Sequence, residues 1–278
     1  MKHILIPTDF SENSWNALEY TVMLFRNEAC IFYILHIATL KESSVQSNSF
    51  TFASETIHPS IKEKLDALFG RIQKLPAGQR NHFVALKEYG NFLTIIRKTV
   101  EVKNIDLIAL GTKGASGLKA AVIGSNSGDV ITKVVCNVLV IPEKARIIVP
   151  KKIAFATDYS LYYSHSILEA LTDILRISKA HLQVFNVTQN NIRLTPTQEK
   201  NKAYLQDYIE EILPFSNSFH SISNINSKTA ILHFSANNFV EMVVMVAKNL
   251  NFLQQLFFDT TIEKLSFHIT VPLLVLHE

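Results

Sequence analysis

The sequence predicts an α/β fold built twice, as two doubly wound domains in tandem, each a five-stranded, mainly parallel sheet flanked by helices. Three observations carry that prediction. Short apolar runs of β type alternate with stretches of helical spacing along the chain, the pattern of strand–helix–strand crossovers rather than hairpins. Residues 3–11, HILIPTDFS, recur as 152–160, KIAFATDYS, which places Asp158 149 residues after Asp9; self-similarity at long spacing marks a repeated unit. Near the other end of each unit, VLVI at 138–141 returns as LLVL at 273–276, an offset of 135. The second unit is therefore shorter inside by 149 − 135 = 14 residues, and the missing stretch is expected to fall within residues 39–85.

The elements follow in order. Strands are predicted at 3–7, 31–37, 83–88, 105–110 and 138–141. Between them, Trp15, Leu18, Val22 and Phe25 share one helical face, as do Ile61, Leu65, Leu68, Ile72 and Leu75, then Leu93, Ile96 and Val100, then Val130, Ile131 and Val134. Right-handed crossovers through these helices make the sheet parallel. Glu143 to Pro150 reads as a linker, giving units at 1–145 and 150–278. The second unit repeats the plan with strands near 152–156, 181–187, 219–225, 241–246 and 272–276, and helical spacing at Ile167–Leu175 and Tyr204–Ile212. Residues 39–60 are polar and Ser-rich without a period, so they read as a long loop, either a mobile insertion or a lid over a site.

Composition bounds the function. With 47% hydrophobic and 18% charged residues among 278, the chain buries a core in each unit and is neither disordered nor low-complexity. A net charge of +3 gives no bulk attraction for nucleic acid or an anionic membrane. No apolar run reaches the roughly 18 residues of a membrane span, and the start, MKHILIPTDF, lacks the apolar core of a signal peptide. A cytoplasmic address is expected, and Cys30 and Cys136 read as two reduced, buried thiols. The ten histidines form no metal-ligand spacing, His36 reads as a core histidine, and no GxSxG nucleophile motif occurs.

Glycine distribution points to a site. Of eight glycines, five fall in residues 111–128 and none follows. That stretch, GTKGASGLKAAVIGSNSG, lies between a predicted strand and a predicted helix, the place where α/β sheets bind ligands. Glycine permits close backbone approach and positive φ, and a helix start presents free N–H groups to an anion. Ser125, Asn126 and Ser127 add short polar side chains able to cap that helix or to donate to phosphate. Asp9, at a strand end, can accept hydrogen bonds from a ribose hydroxyl or amine, or cap the helix that follows. Neither a P-loop nor a GxGxxG fingerprint is present.

The combination of Gly111-x2-Gly114-x9-Gly124-Ser125 with a first strand ending in Pro7-Thr8-Asp9-Phe10-Ser11 resembles the universal stress protein family. The resemblance covers nearly all of 1–142 and, more loosely, 152–277. It implies a five-stranded parallel sheet, usually dimeric, that binds ATP in motif-bearing members. It further implies that Asp9 contacts the nucleoside beside Pro7 and Thr8. The backbone of Ile37 would meet the adenine, and Gly111, Gly114, Gly124, Ser125, Asn126 and Ser127 would form the phosphate and ribose loop near Lys113 and Lys119. Mg²⁺ would bind through the phosphates themselves. VLVI and LLVL would meet as a dimer-like pairing within one chain, with further pairing of chains left open.

The second unit lacks that loop. At an offset of 135, Gly111, Gly114, Gly124 and Ser125 fall on Val246, Asn249, Asp259 and Thr260. Asp259 would repel phosphate, and Val246 would resist any positive φ required there, so the second unit is expected to bind no ATP in the ordinary mode. Its apolar replacement, with Phe252, Leu256 and Phe257, is open to core packing, an interface with the first unit, or a partner surface. Three functions then compete: an ATP-binding stress-response regulator acting on a protein partner, a slow ATPase or an enzyme that phosphorylates its own Ser125 or Ser127, and a nucleotide-free scaffold. No residue stands out as the base that hydrolysis needs, which favours the first.

Overall fold

The computed structural model of the chain describes residues 1–38, 60–112, 125–188, 193–214, 216–223, 227–247 and 270–278. In chain order the elements are β1 (Lys2–Pro7), α1 (Glu12–Leu24), β2 (Cys30–Ala38), α2 (Ile61–Ile72), β3 (Asn81–Tyr89), α3 (Phe92–Lys103), β4 (Leu107–Gly111), α4 (Ser125–Lys133) and β5 (Asn137–Ile141). The second half follows with β6 (Lys152–Thr157), α5 (His165–Ser178), β7 (His181–Thr188), α6 (Pro196–Ile212), β8 (Asn217–Ser223), α7 (Ser227–Asn237), β9 (Met242–Val246) and β10 (Leu273–Leu276). The ten strands among the described residues join one sheet in the order β3-β2-β1-β4-β5-β10-β9-β6-β7-β8. Every pairing is parallel except β5 with β10, where Val140 faces Leu273 and Val138 faces Val275. The expected meeting of VLVI and LLVL is thus a direct antiparallel ladder at the centre of the sheet.

Packing follows from the sequence pattern. Strands covered on both faces read as continuous apolar runs, and Ile4, Leu5, Ile6, Ile34, Val138 and Phe155 are each fully buried. On one face, α1, α2, α5 and α6 cover a core that includes Trp15, Leu68, Leu171 and Leu205. On the other, α3, α4 and α7 cover one built on Ile96, Val130 and Phe234. Cys30 and Cys136 are free and buried, and burial pushes their thiols up to about 11 and about 12.

Helix starts locate the shortened stretch. α2 and α6 both open on a capping box, Ser60 with Glu63 and Thr195 with Gln198, already 135 residues apart. The deficit therefore falls wholly between the second strand of each half and the helix after it, where Ala38 and Ile61 frame one segment and Thr188 and Pro196 the other. Residues 39–59, the predicted loop, lie outside the described residues. Helix α7 was not foreseen from the sequence.

Candidate functional site

The turn after β1 is built from its own short polar side chains. The ladder with β2 ends at Pro7 opposite Leu35, and the Thr8 N–H donates to the Leu35 carbonyl at 2.8 Å. Phe10 then turns left-handed at φ 63°, which brings its N–H within 3.0 Å of Thr8 Oγ1. Asp9 Oδ1 accepts from both the Ser11 N–H at 3.0 Å and the Ser11 hydroxyl at 2.6 Å. Ser11 Oγ in turn accepts the Ser14 N–H at 3.2 Å. Of the two readings open for Asp9, helix capping therefore belongs to Ser11, and Asp9 acts by orienting the cap. Ser14 donates to the Ser11 carbonyl at 2.8 Å, so the Thr8 hydroxyl is the donor in their 3.1 Å contact. His36 is the expected core histidine: its Nδ1–H donates to the Thr8 carbonyl at 2.9 Å, and its ring centroid lies 4.5 Å from that of Phe10.

Gly111, at the end of the neighbouring β4, closes against this turn. A Cβ there would lie 2.4 Å from Asn13 Nδ2 and 2.9 Å from the Asn13 carbonyl oxygen. The glycine is needed because the first turn of α1 rests on it. Positive φ, the sequence-based reason, does not apply, since among the described glycines only Gly90 has one. Ser127 donates its hydroxyl to the Gly111 carbonyl at 2.9 Å and so ties the start of α4 to the end of β4. β2 continues to Ala38, past its last β1 partner Leu35, which leaves Ile37 beyond the β1 ladder on the same edge.

Pro7, Thr8, Asp9, Ile37, Gly111, Ser125, Asn126 and Ser127 thus gather at the carboxyl edge of the first five strands. Lys113, Gly114, Gly124, Gly117 and Lys119 lie outside the described residues. Asn13 and Ser14 were missed in the sequence. Their signal was the second half of the polar run Asp9-Phe10-Ser11-Glu12-Asn13-Ser14. Beside the edge, Arg71 forks onto Glu12 at 2.8 and 3.0 Å and stacks 3.9 Å from the Trp15 ring, locking α2 to α1 and holding the Glu12 carboxyl below its ordinary value.

The corresponding edge of the second half begins identically and then closes. Asp158 Oδ1 accepts from the Ser160 N–H at 2.9 Å and from its hydroxyl at 2.6 Å, and Tyr159 is left-handed at φ 58°. The turn therefore forms from its own sequence and needs no ligand. Beyond it, Tyr163 stands where Ser14 stands in the first half, with its hydroxyl 2.5 Å from Thr157 Oγ1 and its side chain fully buried. Tyr162, at the place of Asn13, points outward and stacks on Tyr204 with centroids 5.4 Å apart. Val246 pairs with Leu276 as Gly111 pairs with Ile141. From α6, Gln198 Nε2 and Asn201 Nδ2 donate to the Asp158 and Tyr159 carbonyls at 2.8 and 2.9 Å. Asn249, Asp259, Thr260 and the apolar segment around Phe252 lie outside the described residues.

Among the described residues, no cluster of three or more His, Cys, Asp or Glu side chains is placed to hold a metal ion, and no helix is long and apolar enough to cross a membrane. The architecture is that of doubly wound α/β proteins, whose ligands sit outside the carboxyl ends of the strands. Residues 1–142 match the Universal stress protein family, and the chain belongs to it. Along nearly its whole length it resembles solved structures in fold. A universal stress protein from Archaeoglobus fulgidus DSM 4304 has TM-score 0.64 at 17% identity, covering 99% of this chain and 96% of that one. A functionally unknown protein from Pseudomonas aeruginosa PAO1 has TM-score 0.61 at 14% identity, covering 99% and 92%. A putative universal stress protein of Pseudomonas aeruginosa UCBPP-PA14 has TM-score 0.59 at 14%, covering 99% and 93%. No curated protein matches the sequence.

Proposed function

We infer that the chain is a two-unit, ATP-binding regulator of the stress response in which only the first unit, residues 1–145, holds nucleotide, while the second, 150–278, has a structural or partner-binding role. The observation that carries this reading is the asymmetry of two like turns: Gly111 with Asn13 and Ser14 behind it on one edge, Val246 with buried Tyr163 on the other. The residues of the first edge fit a nucleotide. Asp9 offers a carboxylate for a ribose, the close approach at Gly111 keeps side chains out of the edge, and the start of α4 offers N–H groups to phosphate. When bound, ATP supplies charge and a base plane to that edge, with Mg²⁺ carried on the phosphates. The Ser127 hydroxyl, buried and donated to Gly111, is poorly placed for self-phosphorylation, which weighs for binding over catalysis.

Native mass spectrometry of the protein purified without added nucleotide, followed by identification of released small molecules, tests this. One adenine nucleotide per chain is expected, and it should be absent from the Gly114→Ala, Gly124→Ala double variant. A chain that arrives empty and fails to take up added ATP with Mg²⁺ leaves the scaffold reading in its place.

A further inference from the structure

A groove enclosing about 380 Å³ lies on the face of the sheet that α1 and α5 cover, at the end where the strands of the first half begin. Its place follows from the two-fold likeness of the halves about the antiparallel β5–β10 ladder. The linker leaves the end of β5 and reaches the start of β6, and so passes the starts of β10 and β9, the two strands between them in the sheet. The two-fold mate of that path leaves the end of β10 and reaches the start of β1 past the starts of β5 and β4. The groove is lined along it in that order, by Leu276, Asn137, Leu107 and Lys2, with Glu169 and Asp173 of α5 as its outer wall. In the first half, the crossover from β4 to β5 leaves this face alone, since its helix α4 buries Val130 and Ile131 on the other one.

The linker shows what such a path holds. Ala145, Ile147 and Val149, at alternate positions, pack onto the core of this face, while Lys144 and Arg146 stay exposed; alternation of this kind belongs to extended chain with one side down. Asn16, the fifth residue of α1, holds the linker by donating its Nδ2–H to the Glu143 carbonyl at 3.0 Å. The fifth residue of α5 is Glu169, an acceptor where α1 has a donor. Together with Asp106 and Asp173 it sets three acids around the groove against one cation, Lys2. Lys2 is committed to Asp173 at 2.5 Å, and Asp106 accepts the His3 N–H at 2.7 Å. Glu169 has no ion pair among the described residues closer than 3.9 Å, to His165. An apolar floor that includes Phe25, Ile174 and Leu276 under an acidic rim complements a chain that is apolar on one side and basic on the other.

We propose that this groove docks an extended segment of a partner protein that carries apolar residues at alternate positions and Lys or Arg between them, the chemistry of the linker itself. Its apolar side chains lie against Phe25, Ile174 and Leu276, and its cations meet Glu169 and the acids beside it. The site does not rest on the nucleotide reading, because none of its residues belongs to the carboxyl edge of the first unit.

Fluorescence anisotropy of a labelled peptide with the sequence of residues 142–151, PEKARIIVPK, titrated with the full chain, tests the proposal. Saturable binding of one peptide per chain is expected, and the same peptide with its two Lys and one Arg replaced by Glu should bind more weakly by about tenfold or more. Glu169→Lys, at an exposed position, should weaken the parent peptide by about fivefold or more while leaving the far-UV spectrum unchanged. Ala170→Trp, which fills the groove from α5, should remove binding. A peptide that instead displaced the linker from its own path would be indifferent to Glu169→Lys, so an unchanged affinity in that variant overturns the proposal. Equal affinity for the acidic peptide, or the absence of saturable binding, overturns it as well.

Discussion

Two positions show how one side chain decides which edge stays open. Gly111 and Val246 occupy the same place in their ladders, yet only Gly111 has a helix turn resting on it, with Asn13 atoms closer than any real Cβ tolerates. Gly111→Ala should therefore lower unfolding free energy by about 1–3 kcal/mol, the range for an overpacked site. Asn13→Ala should recover only part of that loss, because the Asn13 carbonyl lies within 2.9 Å of the same Cβ and stays in place. Urea melts of both single variants and the double variant would give the coupling directly. A Gly111→Ala protein as stable as the parent would show that α1 can slide away without cost. The sequence made Gly111 visible through its spacing to Gly114 and Gly124, whereas Asn13 was not visible, since nothing local tells that a residue 98 positions earlier presses against it.

Elements differ in legibility for the same kind of reason. The inner strands were the plainest to read because strands covered on both faces carry near-continuous Val, Ile and Leu, as in VLVI and LLVL, whereas the edge strand β8, NSFHSIS, carries little of that signal. Helix α7 could not be read, because SKTAILHFSAN has no charged residue in its last turn and no acidic one in its first, so the usual boundary signals are missing. The start of α4 falls at Ser125–Ser127, where the sequence places it, although Ser-Asn-Ser-Gly is a poor helix former on its own; Ser127 reaching back to Gly111 holds it. At the end of α7, Phe239 occupies a left-handed position that Asn104 fills at the end of α3. Its ring is mostly exposed, so little burial offsets the backbone cost, and a contact of 5.6 Å with Lys152 adds only a weak cation–π attraction. Phe239→Asn should raise unfolding free energy by about 1 kcal/mol, measured by thermal or urea melts. If the substitution destabilises instead, the ring contributes packing that outweighs its strained backbone.

At the scale of the whole molecule, one antiparallel ladder turns two parallel five-strand sets into a continuous sheet. β5 and β10 are buried along their length, so each half protects the edge that the other would leave open. Side chains add to the seam: Lys2 meets Asp173 at 2.5 Å, Arg176 forks onto Glu28 at 3.1 and 3.3 Å, and Asn137 Oδ1 accepts the His277 N–H at 2.9 Å. These ion pairs are partly or largely solvated, worth no more than about 1 kcal/mol each, so the apolar ladder dominates the union. Expressed alone, residues 1–145 would present Asn137–Ile141 as an unpaired apolar edge, which is a template for association. A second copy of the same strand can satisfy it antiparallel, as β10 does in the full chain. The fragment is expected to run as a dimer in light scattering, at concentrations where the full chain shows no β5-mediated association. Val138→Lys, which places a charge in the middle of that edge, should return the fragment to monomer or to aggregate, whereas a stable monomeric parent fragment would mean that the first half covers its own edge and that the central ladder is not what binds the halves.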